Sequence, residues 1–318
     1  MIINGFINVN KEEGIASNQV LSKIKKIFYP KFGKIKIGHT GTLDPLACGV
    51  LPIALGEATK AVTYQMKTCK TYEFTIKFGI QTSTDDREGD IVKTSSSIPT
   101  KENILKAIPY FLGKVKQIPP KYSAIKINGK RAYNLARKGE DFEIKERDNY
   151  IHALELLKQI NLTEYLFKIV VDKGFYVRSF GRDFAIYLNS FGYINYLCRT
   201  ESGSFNLRNS ITLDKLQKLC DNPLVLDARS LESFGILQNI STGLDGIPVL
   251  KLSKIQNDLV RNGSFLRLDD NLKIQLSNFG LDSNLGEYSF FQAFYNSNIS
   301  GILKYEDGLL RPIRLFNL

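Results

Sequence analysis

One carboxylate stands in the least ordinary stretch of the chain. It runs Gly38-His39-Thr40-Gly41-Thr42-Leu43-Asp44-Pro45-Leu46-Ala47-Cys48-Gly49 and continues through an apolar run to Gly56-Glu57-Ala58-Thr59-Lys60. Its glycines invite a phosphate-loop reading, but neither GxxxxGK[ST] nor GxGxxG is present, which argues against a nucleotide-triphosphate site. What remains is a tight loop of small residues carrying Asp44. Small neighbours let a bulky substrate approach the backbone, and Pro45 sets the chain direction after the acid. An isolated Asp-Pro is equally at home in a turn or cap, so this loop alone does not decide its chemistry.

Other chemistry-bearing residues narrow the choice. His39 and His152 are the only histidines and no GxSxG elbow accompanies them, so a Ser-His-Asp hydrolase has little to be built from. Cys48, Cys69, Cys198 and Cys220 form no CxxC pair. With two histidines to help they make no zinc set by spacing, and they read as reduced, small, buried thiols. Asp85 and Asp86 compete with Asp44 as carboxylates, but they fall in a polar turn over residues 81–89 and read as solvated.

The elements that must position these residues can be sketched from periodicity. Val20, Leu21, Ile24, Ile27 and Phe28 recur at helical spacing, with Ser17 as N-cap and Pro30 as a stop. Tyr72, Phe74, Ile76 and Phe78 alternate with polar residues as a half-buried strand. Residues 166–171 and 175–177 read as two strands joined at Asp172-Lys173-Gly174, followed from Ser179 by a helix burying Phe180, Phe184 and Leu188. Strands and helices do not alternate regularly, which points to an α+β fold. After Ser241 the composition changes: residues 242–248 look like a linker, and segments at 273–276, 288–295, 302–305 and 309–316 alternate with turns as a small all-β unit.

Charge is also unevenly placed. The 318 residues carry a net charge of +11, a bias toward polyanions. Between Lys101 and Lys138 ten basic residues face the single acid Glu102, interleaved with Tyr110, Tyr122 and Tyr133. A phosphate-tracking groove and a merely solvated basic face both fit that pattern. The first residues lack a secretory-signal pattern and no run of 18 apolar residues occurs, so a cytosolic, cytoplasmic protein without a membrane partner is expected.

GHTGTLDPLACGVLPIALGEATK strongly resembles the catalytic motif of the TruB family, the bacterial tRNA pseudouridine-55 synthases. Lys70-Thr71-Tyr72-Glu73 resembles that family's Lys-x-Tyr motif. Residues 117–126 and 129–139 resemble its RNA-gripping insertion, and Lys173-Gly-Phe-Tyr-Val-Arg-Ser179 and Leu197-Cys-Arg-Thr-Glu-Ser-Gly-Ser-Phe205 match two further motifs. These motifs are spread over residues 6–205 in the family's order. The resemblance implies a pseudouridine synthase fold, a mixed and largely antiparallel sheet with flanking helices, over residues 1–242, including the insertion at about 101–148. Residues 243–318 would be a PUA-like RNA-binding domain, matched by position and texture alone.

The same resemblance implies that Asp44 is the catalytic aspartate and Arg178 the cation paired with it. Tyr72 would be a catalytic residue that stacks on the target uracil and takes part in proton transfer, Tyr176 and Leu197 would wall the cavity, and His39 would hold the RNA loop beside a flipped base. Lys11, Lys60 and Lys130 are expected phosphate contacts. The implied reaction detaches uracil at N1, rotates it and rejoins it through C5 without external redox, so no cofactor and no metal are expected. The expected partner is the T stem-loop of tRNA, bound by a monomer. Two other readings stay open: a guide-directed synthase of a ribonucleoprotein particle, and an RNA-binding or tRNA-folding protein with incidental activity. One departure concerns loop rigidity: the family's Asp-Lys-Pro and Gly-x-Thr-Ser are here Asn10-Lys11-Glu12 and Gly14-Ile15-Ala16-Ser17.

Overall fold

The apolar run after Asp44 explains the centre of the architecture. In the computed structural model, which describes residues 3–127, 129–224, 227–279 and 289–318, it forms strand Cys48–Leu55. Leu51, Ile53 and Leu55 join the main core on one face, whereas Val50 and Ala54 join a second apolar cluster on the other. A strand buried on both faces needs continuous rather than alternating hydrophobicity, and that is its sequence.

This strand belongs to a ten-stranded sheet whose main path runs Leu237–Gln238, Gly5–Lys11, Cys48–Leu55, Gly192–Ser202, Lys70–Phe78, Glu164–Val171, Arg147–Gln159, Gly113–Gln117. Its described pairings are antiparallel except one: Cys48–Leu55 and Gly192–Ser202 run parallel, with Cys48 opposite Cys198 and Gly49 opposite Arg199. Gly49 has φ +100°, and a Cβ there would lie 2.2 Å from the Arg199 carbonyl oxygen, so this junction requires glycine. Helix Val177–Tyr187 lies on the main-core face, burying Phe180 and Phe184. Gly181 permits the close approach, since a Cβ would meet Ile194 at 2.6 Å.

A second sheet of five strands, in the order Val249–Lys251, Phe290–Tyr295, Asn298–Glu306, Leu309–Leu315, Leu266–Arg267, forms the C-terminal unit. It is not all-β. Residues 273–276, read as a strand, lie in helix Asp270–Ser277, and Lys254–Arg261 is also helical. The stretch read as a linker is packed: Gly243 and Leu244 are buried, and a Cβ on Gly243 would meet the Phe6 ring at 2.3 Å. Phe6, Val50, Ala54 and Phe205 share one apolar cluster with Ile299, Ile302 and Phe316, so the second sheet is sealed onto the back of the first. Of the strand read at 288–295, Tyr288 lies outside the described residues.

Local boundaries differ in instructive ways. The first helix runs Ser17–Phe32 and carries Pro30 inside, with Ala16 at its N-cap. Residues 175 and 176 are not a strand; the chain turns there directly into the helix at Val177. No helix among the described residues is long and apolar enough to cross a membrane.

Candidate active site

Asp44 is fixed by the chain segment that precedes the first helix. The Ser17 hydroxyl donates to the Leu43 carbonyl at 3.0 Å and accepts from the Leu43 amide at 2.9 Å. Lys11 Nζ donates to the Pro45 carbonyl at 3.2 Å and to Ile15 and Glu12 carbonyls at 2.7 and 2.9 Å. The Gly14 amide also bonds Pro45, at 2.8 Å. Residues on both sides of Asp44 are thus held by hydrogen bonds that leave its own side chain 35% exposed.

Opposite stands Arg178, 4% exposed at the start of its helix. Its Nε lies 2.8 Å from Asp44 Oδ2 but is not aligned for a hydrogen bond, so the contact is a close ion pair without a directed bond. The rest of the guanidinium is fully engaged: Nη1 with Asp86 Oδ2 at 3.3 Å and the Thr84 carbonyl at 3.1 Å, Nη2 with the Tyr122 carbonyl at 2.9 Å. One helical turn later Arg182 pairs with Asp85 at 2.9 Å. Asp85 and Asp86 are therefore buried counterions, contrary to their reading as solvated turn residues. Burial pushes Asp85 above the ordinary carboxylate range although Arg182 opposes the shift.

Between these groups opens a cavity of about 520 Å³, lined among others by Asp44, Tyr72, Tyr176, Arg178, Leu197 and Arg199. The Tyr176 backbone is clamped at both its polar atoms by the Gln117 side chain, each bond 3.1 Å long. Burial raises the Tyr176 phenol above its usual range. Arg199, 2% exposed, donates to the Val50 carbonyl at 2.8 Å and the Gly41 carbonyl at 3.0 Å, tying the Asp44 loop to the parallel junction. Lys70 is buried with its Nζ 2.8 Å from the Met66 carbonyl, and burial, then Arg199, lowers it to about 8.

A second cavity of about 640 Å³ shares Asp44 and Arg178 with the first and reaches His39, Tyr122, Arg131, Tyr133 and Arg137. Asp44 thus sits where the two cavities meet, the second a trough lined by tyrosines, arginines and carboxylates. His39 is partly buried, its Nδ1 has no hydrogen-bond partner, and burial together with Arg199 lowers its pKa.

The sequence-derived set divides accordingly. Asp44, Arg178, Tyr72, Tyr176 and Leu197 surround one cavity, with His39 on its neighbour. Lys11 does not reach the surface: it is 0% exposed and its ammonium is spent on carbonyls of the loop, so here it is a positioning residue. Lys60 bonds Glu57 at 2.6 Å and the Leu315 carbonyl at 2.8 Å, joining the two sheets instead of facing the cavity. Lys130 is exposed on the short strand Lys130–Arg131, whose second residue lines the trough. Ser17, read as a helix cap, and Gln117 and Arg199, each within a quoted motif, carry no site role in the sequence reading, yet all three hold the site's backbone.

A carboxylate paired with a buried arginine, walled by two tyrosines and a leucine, suits a planar base held against a reacting acid. Residues 25–177 match the N-terminal domain of TruB family pseudouridylate synthases. Proteins named tRNA pseudouridine synthase B are similar throughout: that of Ehrlichia ruminantium is 38% identical, covering 99% of each chain, and that of Anaplasma marginale 36%, covering 99% of this chain and 97% of its own. The Zymomonas mobilis protein is 42% identical over 83% of this chain and 84% of its own. This chain belongs to the TruB family of pseudouridine synthases. Its fold is that of solved synthases: a chain from an H/ACA ribonucleoprotein bound to substrate RNA containing 2'-deoxyuridine superposes with TM-score 0.70 at 20% identity, covering 99% of this chain and 85% of that one. A Cbf5-Nop10-Gar1 complex also gives 0.70, at 21% identity, covering 98% and 85%.

Proposed function

We propose that this enzyme isomerises uridine-55 in the T loop of tRNA to pseudouridine, with Asp44 as the catalytic carboxylate and the target base flipped into the cavity between Tyr72, Tyr176 and Leu197. The observation that carries this reading is the Asp44–Arg178 ion pair of 2.8 Å in the lining of a cavity of about 520 Å³. In the reaction the bond from ribose C1' to N1 breaks, the uracil turns, a bond from C1' to C5 forms, the C5 proton leaves and N1 gains one. Asp44 acts at the glycosidic centre by covalent attack or by stabilising bond cleavage, and Arg178 orients it. The aromatic walls replace the stacking a flipped base loses. Arg131 and Arg137, beside Tyr133 in the adjoining trough, take the phosphates of the stem-loop. Residues 1–242 form the catalytic unit and 243–318 a PUA-like second RNA-contacting unit.

Pseudouridine mapping of tRNA incubated with the purified protein, with no guide RNA added, tests reaction, substrate and position together. Wild type is expected to modify position 55. Asp44→Asn is expected to lose roughly 10³-fold or more in single-turnover rate while retaining tRNA binding. If Asp44→Asn still formed pseudouridine on a minimal T stem-loop, the assignment of the aspartate would be wrong.

A further inference from the structure

Three possible metal ligands meet beside the cavity, one of which, Asp172, lines it. Cys69 immediately precedes strand Lys70–Phe78, His152 lies in Arg147–Gln159, and Asp172 directly follows Glu164–Val171. These strands are neighbours in the large sheet, so one edge of it gathers residues that are far apart in sequence. Cys69 Sγ lies 3.6 Å from His152 Nε2 and 3.6 Å from Asp172 Oδ1, and the latter two atoms are 2.8 Å apart. Among the described residues this is the one group of three such donors close enough to share an ion. Of the four cysteines read as buried thiols, Cys198 and Cys220 are buried, Cys48 is partly buried and Cys69 is exposed.

Geometry separates two readings of this trio. In a nucleophilic Cys-His-Asp relay the two ring nitrogens of histidine address different partners, one the thiol and the other the carboxylate. Here both the sulfur and the carboxylate face the same Nε2, so a relay is not formed. Donors around a common point are instead what a metal requires. A tetrahedral zinc with ordinary bond lengths holds its S, N and O ligand atoms about 3.3 to 3.6 Å apart. The two distances from sulfur already match, and the third needs only a slight spreading of the His152–Asp172 contact.

We propose that Cys69, His152 and Asp172 bind one divalent transition-metal ion, zinc being the best match to their donor set, with a fourth position open to water. A thiolate and a carboxylate balance the charge of a dication, and a neutral imidazole completes a mixed S, N, O set typical of zinc. The Tyr150 ring, 4.7 Å from that of His152, limits rotation of the imidazole. Burial and the Asp172 carboxylate raise the Cys69 thiol, a field that a bound dication reverses. Lys70 and Lys173 flank the trio, but the Lys70 ammonium is turned to the Met66 carbonyl. Asp172 through Val177 line the cavity, as do Lys70 and Tyr72. An ion here would fasten the Tyr176 segment to the strand carrying Tyr72, a structural effect that does not depend on the reaction assigned above.

Titration of the full chain with Co²⁺ tests this directly. One equivalent is expected to produce a thiolate-to-cobalt charge-transfer band with tetrahedral d–d absorption, displaced by Zn²⁺. Cys69→Ser should abolish the charge-transfer band, and His152→Gln and Asp172→Asn should each weaken binding by about tenfold or more, since even outer partners of ligands matter on that scale. Cys48→Ser should bind as wild type does. Without any variant, Zn²⁺ should protect Cys69 from iodoacetamide, read by peptide mass spectrometry. No thiolate band in wild type, a band that survives Cys69→Ser, or unprotected Cys69 would each overturn the site.

Discussion

The floor of the candidate site and the basic flank beside it are built on opposite plans. Arg178 and Arg199 are almost completely buried, and their guanidinium groups contact carboxylates and carbonyls from residues 41, 44, 50, 84, 86 and 122. The flank, in contrast, consists of two two-residue strands and the short helix Ala132–Arg137, which buries only Ala132 and Leu135. Lys121, Lys126, Lys130, Arg131, Arg137 and Lys138 are all exposed there. A preorganised floor suits groups that must act at fixed positions on one base, whereas an exposed flank suits contacts with phosphates, whose positions are less demanding. On the proposed function, one residue type, arginine, orients in the first region and binds phosphate in the second.

That contrast can be broken most severely at the floor. Arg178→Lys keeps the charge but loses the planar fork that spans Asp44, Asp86 and two carbonyls. Single-turnover rate should fall by roughly 10²- to 10³-fold with tRNA affinity little changed. An affinity loss without a rate loss would remove the distinction between floor and flank.

On the flank, replacing Lys126, Lys130 and Arg131 together by alanine should do the reverse. Binding should weaken and its logarithmic salt slope become shallower by about two to three, with the rate of bound substrate retained. Filter binding across a salt series measures this, and an unchanged slope would mean that the flank does not touch phosphates.

A milder change reaches the floor through its support. Ser17→Ala removes both bonds to Leu43 and should cost about 1 to 3 kcal/mol of stability, seen in thermal or urea unfolding, with turnover lowered about tenfold and KM less affected. Equal kinetics for variant and wild type would show that the Asp44 loop needs no such anchor.

The smallest expected effect concerns pH. Burial and Arg199 depress His39 below the ordinary histidine value of 6.5, so between the folded and unfolded values the unfolded chain binds the extra proton. The contribution of neutral His39 to stability is therefore complete above 6.5 and lost as pH falls toward the folded value. Unfolding midpoints of wild type and His39→Gln should diverge on acidification through that window, wild type losing more. Parallel curves would place His39 in an ordinary solvated setting.

Much of the floor was legible because its residues fall in distinctive local strings. Asp44 lies in a run of small residues, Arg178 follows Gly174-Phe175-Tyr176, and Tyr72 sits in an alternating strand. The roles of Ser17, read as a cap, and of Gln117, quoted only as the start of a motif, are not legible because each acts on the backbone of a residue distant in sequence, and a lone serine or glutamine carries no periodic signal. Asp85 and Asp86 were misread for a similar reason: their counterions Arg182 and Arg178 come from a helix far along the chain. In residues 273–276 the order Lys-Ile-Gln-Leu imitates a strand, yet the structure buries Leu272 and Leu276, four apart, and leaves Ile274 63% exposed. Cys69, His152 and Asp172 could not be grouped at all, because adjacency of three strands, and no spacing, brings them together.

The parallel pairing of Cys48 with Cys198 also has a bearing on how the molecule comes into being. Such a contact closes a very long loop, and contacts of large sequence separation form late. The hairpin strands Arg147–Gln159 and Glu164–Val171 can pair as soon as both are made, but the Asp44 loop meets Arg199 only after nearly two thirds of the chain has been synthesised. During translation, a nascent chain can carry the whole Asp44 loop and still have no chamber for a base. The surroundings of Asp44 are therefore completed only once residue 199 is made, while the strands of the second sheet, residues 249–315, are still to come.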